Sequence, residues 1–109
     1  MKFEVVVAKR AQIRIRQISE WYAAQSSSAG EKWYTGVVEA MLTLESNPER
    51  CERIPELAEH QFPYDFRHLL YGSGRRKTHR IVFSIRSEKV VVHTVHHTAQ
   101  RDLTPDELR

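Results

Sequence analysis

Three short alternating segments crowd the last third of the chain, and they constrain the fold more than any other feature. Phe66 to Tyr71, Thr78 to Arg86, and Lys89 to Val95 or slightly beyond each read as strands. Gly72-Ser73-Gly74 opens a basic loop between the first two, and Ser87-Glu88 makes a tight turn between the last two. Ile81, Phe83 and Ile85 share one face of the middle strand, and Arg80 faces away from them. In the last strand Val91, His93 and Val95 alternate with Val90, Val92 and Thr94. A small sheet of this kind has an apolar face that another layer must cover.

That layer lies upstream. Lys2 to Ala8 alternates as a strand, with Phe3, Val5 and Val7 on one face. From about Lys9 to Gln25 the period becomes helical, through Ala11, Ile15, Ile18 and Trp21/Tyr22. A polar break follows at 25–30, where Ser28 and Glu31 fit a capping box. The next helix carries Trp33, Val37, Ala40/Met41 and Leu44, and stops near Ser46-Asn47-Pro48 because Pro48 disfavours helical geometry in Asn47. A short connection makes the two helices a hairpin with Trp21, Tyr22, Trp33 and Leu44 in the core. Residues 49–65 form a charged connector with a helical turn around Pro55 to Glu59, and Thr104-Pro105-Asp106-Glu107 starts a last turn. The order is β-α-α-β-β-β: an α+β domain spanning 1–109, its small twisted, antiparallel-rich sheet covered on one face by the helical hairpin. The other face is expected to be free, concave and functional.

Bulk properties narrow the function. At 109 residues there is room for one core. The apolar runs are only a few residues, whereas a membrane span needs about 20. Met1-Lys2 leads into a strand pattern, so a cytoplasmic protein without a membrane association is expected. The single cysteine, Cys51, forms no internal disulfide and sits among charges, which reads as a bystander thiol. Net charge is +3, and its distribution is uneven. Residues 1–66 carry 8 Lys/Arg against 10 Asp/Glu, and residues 81–109 carry 4 against 4. Residues 67–80 hold Arg67, Arg75, Arg76, Lys77 and Arg80 with no acid, a patch that attracts phosphates or an acidic partner.

No metal motif is present, since the adjacent His96 and His97 point to opposite faces of a strand, and no cofactor is expected. Gly72-Ser73-Gly74 precedes a strand, unlike a phosphate-cradling loop. What remains is a constellation of bases and cations: Arg67, His68, Arg75, Arg76, Lys77, His79, Arg80, His93, His96, His97 and Arg101. RNA cleavage without a metal needs a base for the 2′-hydroxyl, cations for the transition state and an acid for the leaving oxygen. Histidine and arginine supply those groups, and they equally suit a surface that grips an acidic protein. Within the set, His93 reads as a hydrogen-bonded sheet histidine. His60 and His68 read as ordinary surface positions, and Arg86 as a solvated turn residue.

Phe66-Arg67-His68-Leu69-Leu70-Tyr71, His79-Arg80-Ile81-Val82-Phe83-Ser84-Ile85 and Val90 through His97 together resemble the three-strand end of RelE/ParE toxins. Ile18-Ser19-Glu20-Trp21-Tyr22 and Ala29-Gly30-Glu31-Lys32-Trp33-Tyr34 resemble their helical hairpin. The resemblance implies a growth-inhibiting toxin of a type II toxin–antitoxin system, silenced in a hetero-oligomer by a cognate antitoxin. RelE-like members cleave mRNA on the ribosome; ParE-like members poison DNA gyrase without nuclease chemistry. An inactive relative acting only as a binding module is a third outcome. By position, Arg80 matches the arginine that contacts the scissile phosphate in the nucleases, Arg67 a basic position on the preceding strand, and His96 or His97 the histidine some relatives use. In a nuclease Arg80 and Arg67 would clamp the phosphate. Arg75, Arg76, Lys77 and His79 would then dock RNA. Two departures run against cleavage. Leu69 stands at the second basic position, and no tyrosine follows Tyr71 to match the nucleases' C-terminal one.

Overall fold

The changes of period become elements at nearly the positions expected. A computed structural model describes residues 2–108. Strand β1 is Glu4–Val7, helix α1 Lys9–Gln25 and helix α2 Ser27–Leu42. Then follow β2 (Glu52–Arg53), β3 (Asp65–Tyr71), β4 (His79–Arg86) and β5 (Lys89–His97). The sheet order is β1-β5-β4-β3-β2; β1 runs parallel to β5 and the other pairs are antiparallel. The two-residue β2, which has no alternation to reveal it, adds a fifth strand to the expected four.

The hairpin starts on a different cap from the one expected. Ser26, not Ser28, is the N-cap of α2, its Oγ accepting from the Ala29 N–H at 3.4 Å. Beyond α2 the chain tightens into a 3-10 turn, Thr43–Glu45, and Asn47 takes the left-handed region (φ 48°), the helical one being disfavoured by Pro48. Trp33, Val37, Leu44, Ile81 and Phe83 are fully buried between hairpin and sheet. Trp21 is not with them: it is 62% exposed, because the stripe of α1 runs through Ala11, Ile15 and Ile18 to Tyr22.

One glycine lets α2 lie close on the sheet. Tyr71 Oη donates to the Trp33 carbonyl at 3.0 Å, and a Cβ on Gly36 would meet that oxygen at 2.0 Å. Gly36→Ala gains up to about 1 kcal/mol of helix propensity. The collision, however, displaces a buried and bonded hydroxyl, so a net loss of roughly 1–3 kcal/mol is expected. Thermal melts should show a drop of about 4–8 °C for each kcal/mol lost. An unchanged or raised midpoint would refute this close-approach account.

The expectation of a free second face is corrected. Phe66 and Val82 are apolar on that side and are covered by Ile54 and Leu57 of the connector and Leu103 and Leu108 of the tail, with Phe62 packed alongside. Leaving Phe66 and Val82 wet would cost about 1.5–3 kcal/mol each, enough to draw in these isolated apolar residues. Further bonds tie the tail down: Arg10 Nη1 donates to the Glu107 carbonyl (2.8 Å), and Arg101 Nη1 to Glu107 Oε1 (2.6 Å).

The face assignment in β5 is corrected as well. The register runs Val82↔Thr94 and then Phe83↔Val92, so His93 is an extra residue in a β-bulge. The bulge reverses the alternation. Val95 therefore joins Val90 and Val92 in the hairpin core instead of sharing a face with His93. No helix among the described residues is long and apolar enough to cross a membrane.

Candidate functional site

Alternation along β4 puts Arg80 on the second face, where the connector and tail enclose it at 9% exposure. Its guanidinium is bound by both oxygens of Glu56: Nη1 donates to Oε1 at 2.9 Å and Nη2 to Oε2. Nη1 also lies 3.3 Å from His68 Nδ1, whose Nε2 meets Glu52 Oε1 at 3.0 Å. Glu56 Oε2 further accepts the Leu103 N–H at 3.0 Å. One polar network thus joins β2, β3, β4, the connector and the tail. The Arg80 hydrogen bonds hold the Glu56 carboxyl at about 2 against the opposing effect of burial, with the Leu103 N–H helping.

Of the other expected site residues, His96 is the one brought beside Arg80. The two are register partners on the same face, and His96 Nε2 meets the Arg101 carbonyl at 2.7 Å. Arg67 is elsewhere. It is the register partner of Phe83, on the hairpin side, and donates to Asp65 (3.1 Å) and to the carbonyls of Glu49 (2.9 Å) and Cys51 (2.7 Å). His97 is half-buried on that same side, its Nδ1 accepting from the Ala99 N–H at 2.9 Å.

His79, expected to contact RNA, is 3% exposed against Trp33, with ring centroids 5.3 Å apart, and 4.9 Å from His97. Burial, reinforced by His97 and Arg14, pushes its pKa down to about 4. His93 is held there too, by burial and then Arg86 and Arg10, while its Nε2 bonds Ser84 Oγ at 2.8 Å. Both are neutral near pH 7. His68 is buried at 7%, not a surface position, because the unforeseen β2 brings Glu52 against it. Arg86 is not simply solvated: it lies 3.9 Å over the Tyr64 ring.

Arg75, Arg76 and Lys77 are exposed and make no ion pair among the described residues. Their loop folds back so tightly that a Cβ on Gly72 would meet the Arg76 carbonyl oxygen at 1.8 Å. Cys51 is buried and its thiol pKa is raised by burial, which makes it a poor nucleophile. Among the described residues no three His, Cys, Asp or Glu are placed to hold a metal ion.

The second carboxylate of this network, Glu52, and its central one, Glu56, have no signal in the sequence. Both sit in an aperiodic connector whose docking depends on tertiary packing. Chemically, the face offers an arginine already paired with a carboxylate and a covered histidine.

A five-stranded mixed sheet, a helical hairpin on one face and a strand arginine on the other define a toxin of the RelE/ParE superfamily. The profile described as ParE toxin of type II toxin-antitoxin system, parDE, matches residues 5–102, and the chain belongs to that family. A chain of the solved chromosomal ParDE TA system from P. aeruginosa shares the fold, with a TM-score of 0.67 over 88% of this chain and 96% of its own, at 13% identity. Comparison with curated protein sequences gave no match.

Proposed function

We propose that this toxin stops growth by binding DNA gyrase and performs no nuclease chemistry. The observation that carries the reading is the state of Arg80. Both arms of its guanidinium are satisfied by Glu56, beneath Leu103, so the arginine that the nuclease reading needs is engaged in holding the fold. Leu69 supports the same reading, since the second basic position of that strand is given to hairpin packing.

The toxin's silent state would be a complex with its antitoxin. With much of the second sheet face covered, an apolar surface open to an amphipathic segment is the groove between α1, α2 and β1, with a volume of about 510 Å3. Val5, Val7, Ile15, Val38 and Met41 floor it, and the exposed Leu42 and Tyr34 stand at its side. Ser19 Oγ, in its wall, has no hydrogen-bond partner. Strand β1 is one of the sheet's two outer strands, so an extended segment has backbone groups to pair with.

The test is a purified cell-free translation reaction with primer extension on the message, beside a gyrase supercoiling assay. Intact message, normal translation and blocked supercoiling are expected. New ribosome-dependent mRNA ends would overturn the proposal in favour of cleavage. Intact message with unimpeded gyrase would overturn it in favour of an inactive relative.

A further inference from the structure

Along β4 from Arg80, at the far end of the covered face, a cavity of about 380 Å3 opens between residues 60–64, Phe66, Arg86 and Leu108. That volume lies in the range of small-ligand sites, roughly 300–1,000 Å3. Its border is aromatic. His60, Phe62 and Phe66 line it as a ladder with successive ring centroids 4.6 and 4.8 Å apart, and His93 continues the ladder behind Phe66 at 5.1 Å. Tyr64 adds another ring, 43% exposed, with the Arg86 guanidinium 3.9 Å above it.

Arg86 is held in place without being neutralised. Its Nε donates to Ser84 Oγ at 3.1 Å, and that hydroxyl is fixed in turn by His93 Nε2 at 2.8 Å. Among the described residues Arg86 makes no ion pair and is the one Lys, Arg, Asp or Glu lining the cavity. Of the acids flanking the lining residues, Asp65 is engaged by Arg53 and Arg67, and Glu107 by Arg101. Aromatic rings that border open space stack planar rings with little regard to which base is present. A fixed guanidinium is suited to a phosphate. Gln61, also at the cavity, has an amide that can donate and accept at a base edge.

We propose that this cleft binds a nucleoside monophosphate unit, its base against Phe62 and Tyr64 and its phosphate on Arg86. The unit is either a free nucleotide or an unpaired nucleotide in a nucleic-acid strand. The site is independent of the gyrase reading, because it uses none of the Arg80 network.

The experiment is a 1H–15N NMR titration of the purified chain with 5′-AMP, adenosine and inorganic phosphate, then with short single-stranded oligonucleotides. AMP is expected to shift the amides of residues 60–66 and 84–88, and adenosine to bind the same residues about tenfold more weakly. Arg86→Gln should bring AMP down to the affinity of adenosine and leave adenosine unchanged. Tyr64→Leu should weaken both, with wild-type melting curves confirming that each variant folds. A strand that binds these residues more tightly than AMP identifies the strand as the source; the reverse order identifies the free nucleotide. The proposal is overturned by no shift at these residues, by phosphate alone reproducing the AMP pattern and affinity, or by an Arg86→Gln protein that binds AMP normally.

Discussion

Replacing Arg80 by alanine should destabilise the protein by about 3–5 kcal/mol, because it strands a carboxylate in a covered site. The Glu56 and Arg80 side chains are 13% and 11% exposed, so solvent screens the pair little. Without the guanidinium Glu56 would take up a proton more readily, which limits the loss. The Leu103 N–H it accepts would still be a partner, but Arg80 would no longer link β4 to the connector. Loss of toxicity in Arg80→Ala therefore says nothing about catalysis unless folding is measured beside it. The informative variant is Arg80→Met with Glu56→Gln, which removes both charges, keeps the volume and leaves an acceptor for Leu103. Neutral replacements of a buried pair are often close to neutral in stability. Urea midpoints should show most of the loss restored, and induced cells should still stop growing, since both side chains are largely covered. A double variant that folds normally and is harmless would overturn the binding reading and return Arg80 to the chemistry.

The elements legible in the sequence are those with a period. Ala11, Ile15, Ile18 and Tyr22 announce α1, and Ile81, Phe83 and Ile85 announce β4, because a repeated burial pattern needs no knowledge of what covers it. The second core has no such pattern. Ile54, Leu57, Leu103 and Leu108 are single apolar residues among prolines and charges, and only the exposed edges of Phe66 and Val82 call them in. Alternation therefore gives the face of Arg80 but not the connector and tail that enclose it. The bulge at His93 was equally hidden, since one inserted residue changes no local preference while reversing every face beyond it. His79 is a different case. It has the parity of Ile81 and Phe83, so strand alternation puts it in the hairpin core, although the neighbouring basic loop gives it the sequence context of a nucleic-acid contact. The family, in contrast, was legible because order and spacing of whole elements survive where individual site residues do not.

The same two histidines give the protein a defined acid limit. His79 and His93 are held at about 4, against 6.5 for an ordinary histidine. Between those values the unfolded chain binds their protons and the folded chain does not, so stability rises with pH across this window. The contribution is complete above about pH 6.5 and is lost as the pH falls towards 4. Each shift corresponds to about 3 kcal/mol at most, at 1.36 kcal/mol per unit, with His93 giving less because it is only partly buried. Urea unfolding between about pH 7.5 and 4.5 should show the midpoint falling steeply below pH 6.5, with an uptake of up to roughly two protons on unfolding. His79→Phe keeps an aromatic ring against Trp33 and should remove about half of that slope. A midpoint flat across the window, or a slope unchanged in His79→Phe, would show that these rings are not held neutral by burial. The Arg80–Glu56 pair also weakens on acidification, but only as pH falls from 4.5 towards 2. The histidines therefore fail first, and they fail on opposite faces of the sheet: His79 in the hairpin core, His93 under the connector. Protonating them loosens both layers at once, which predicts one cooperative acid transition and not a selective release of the tail.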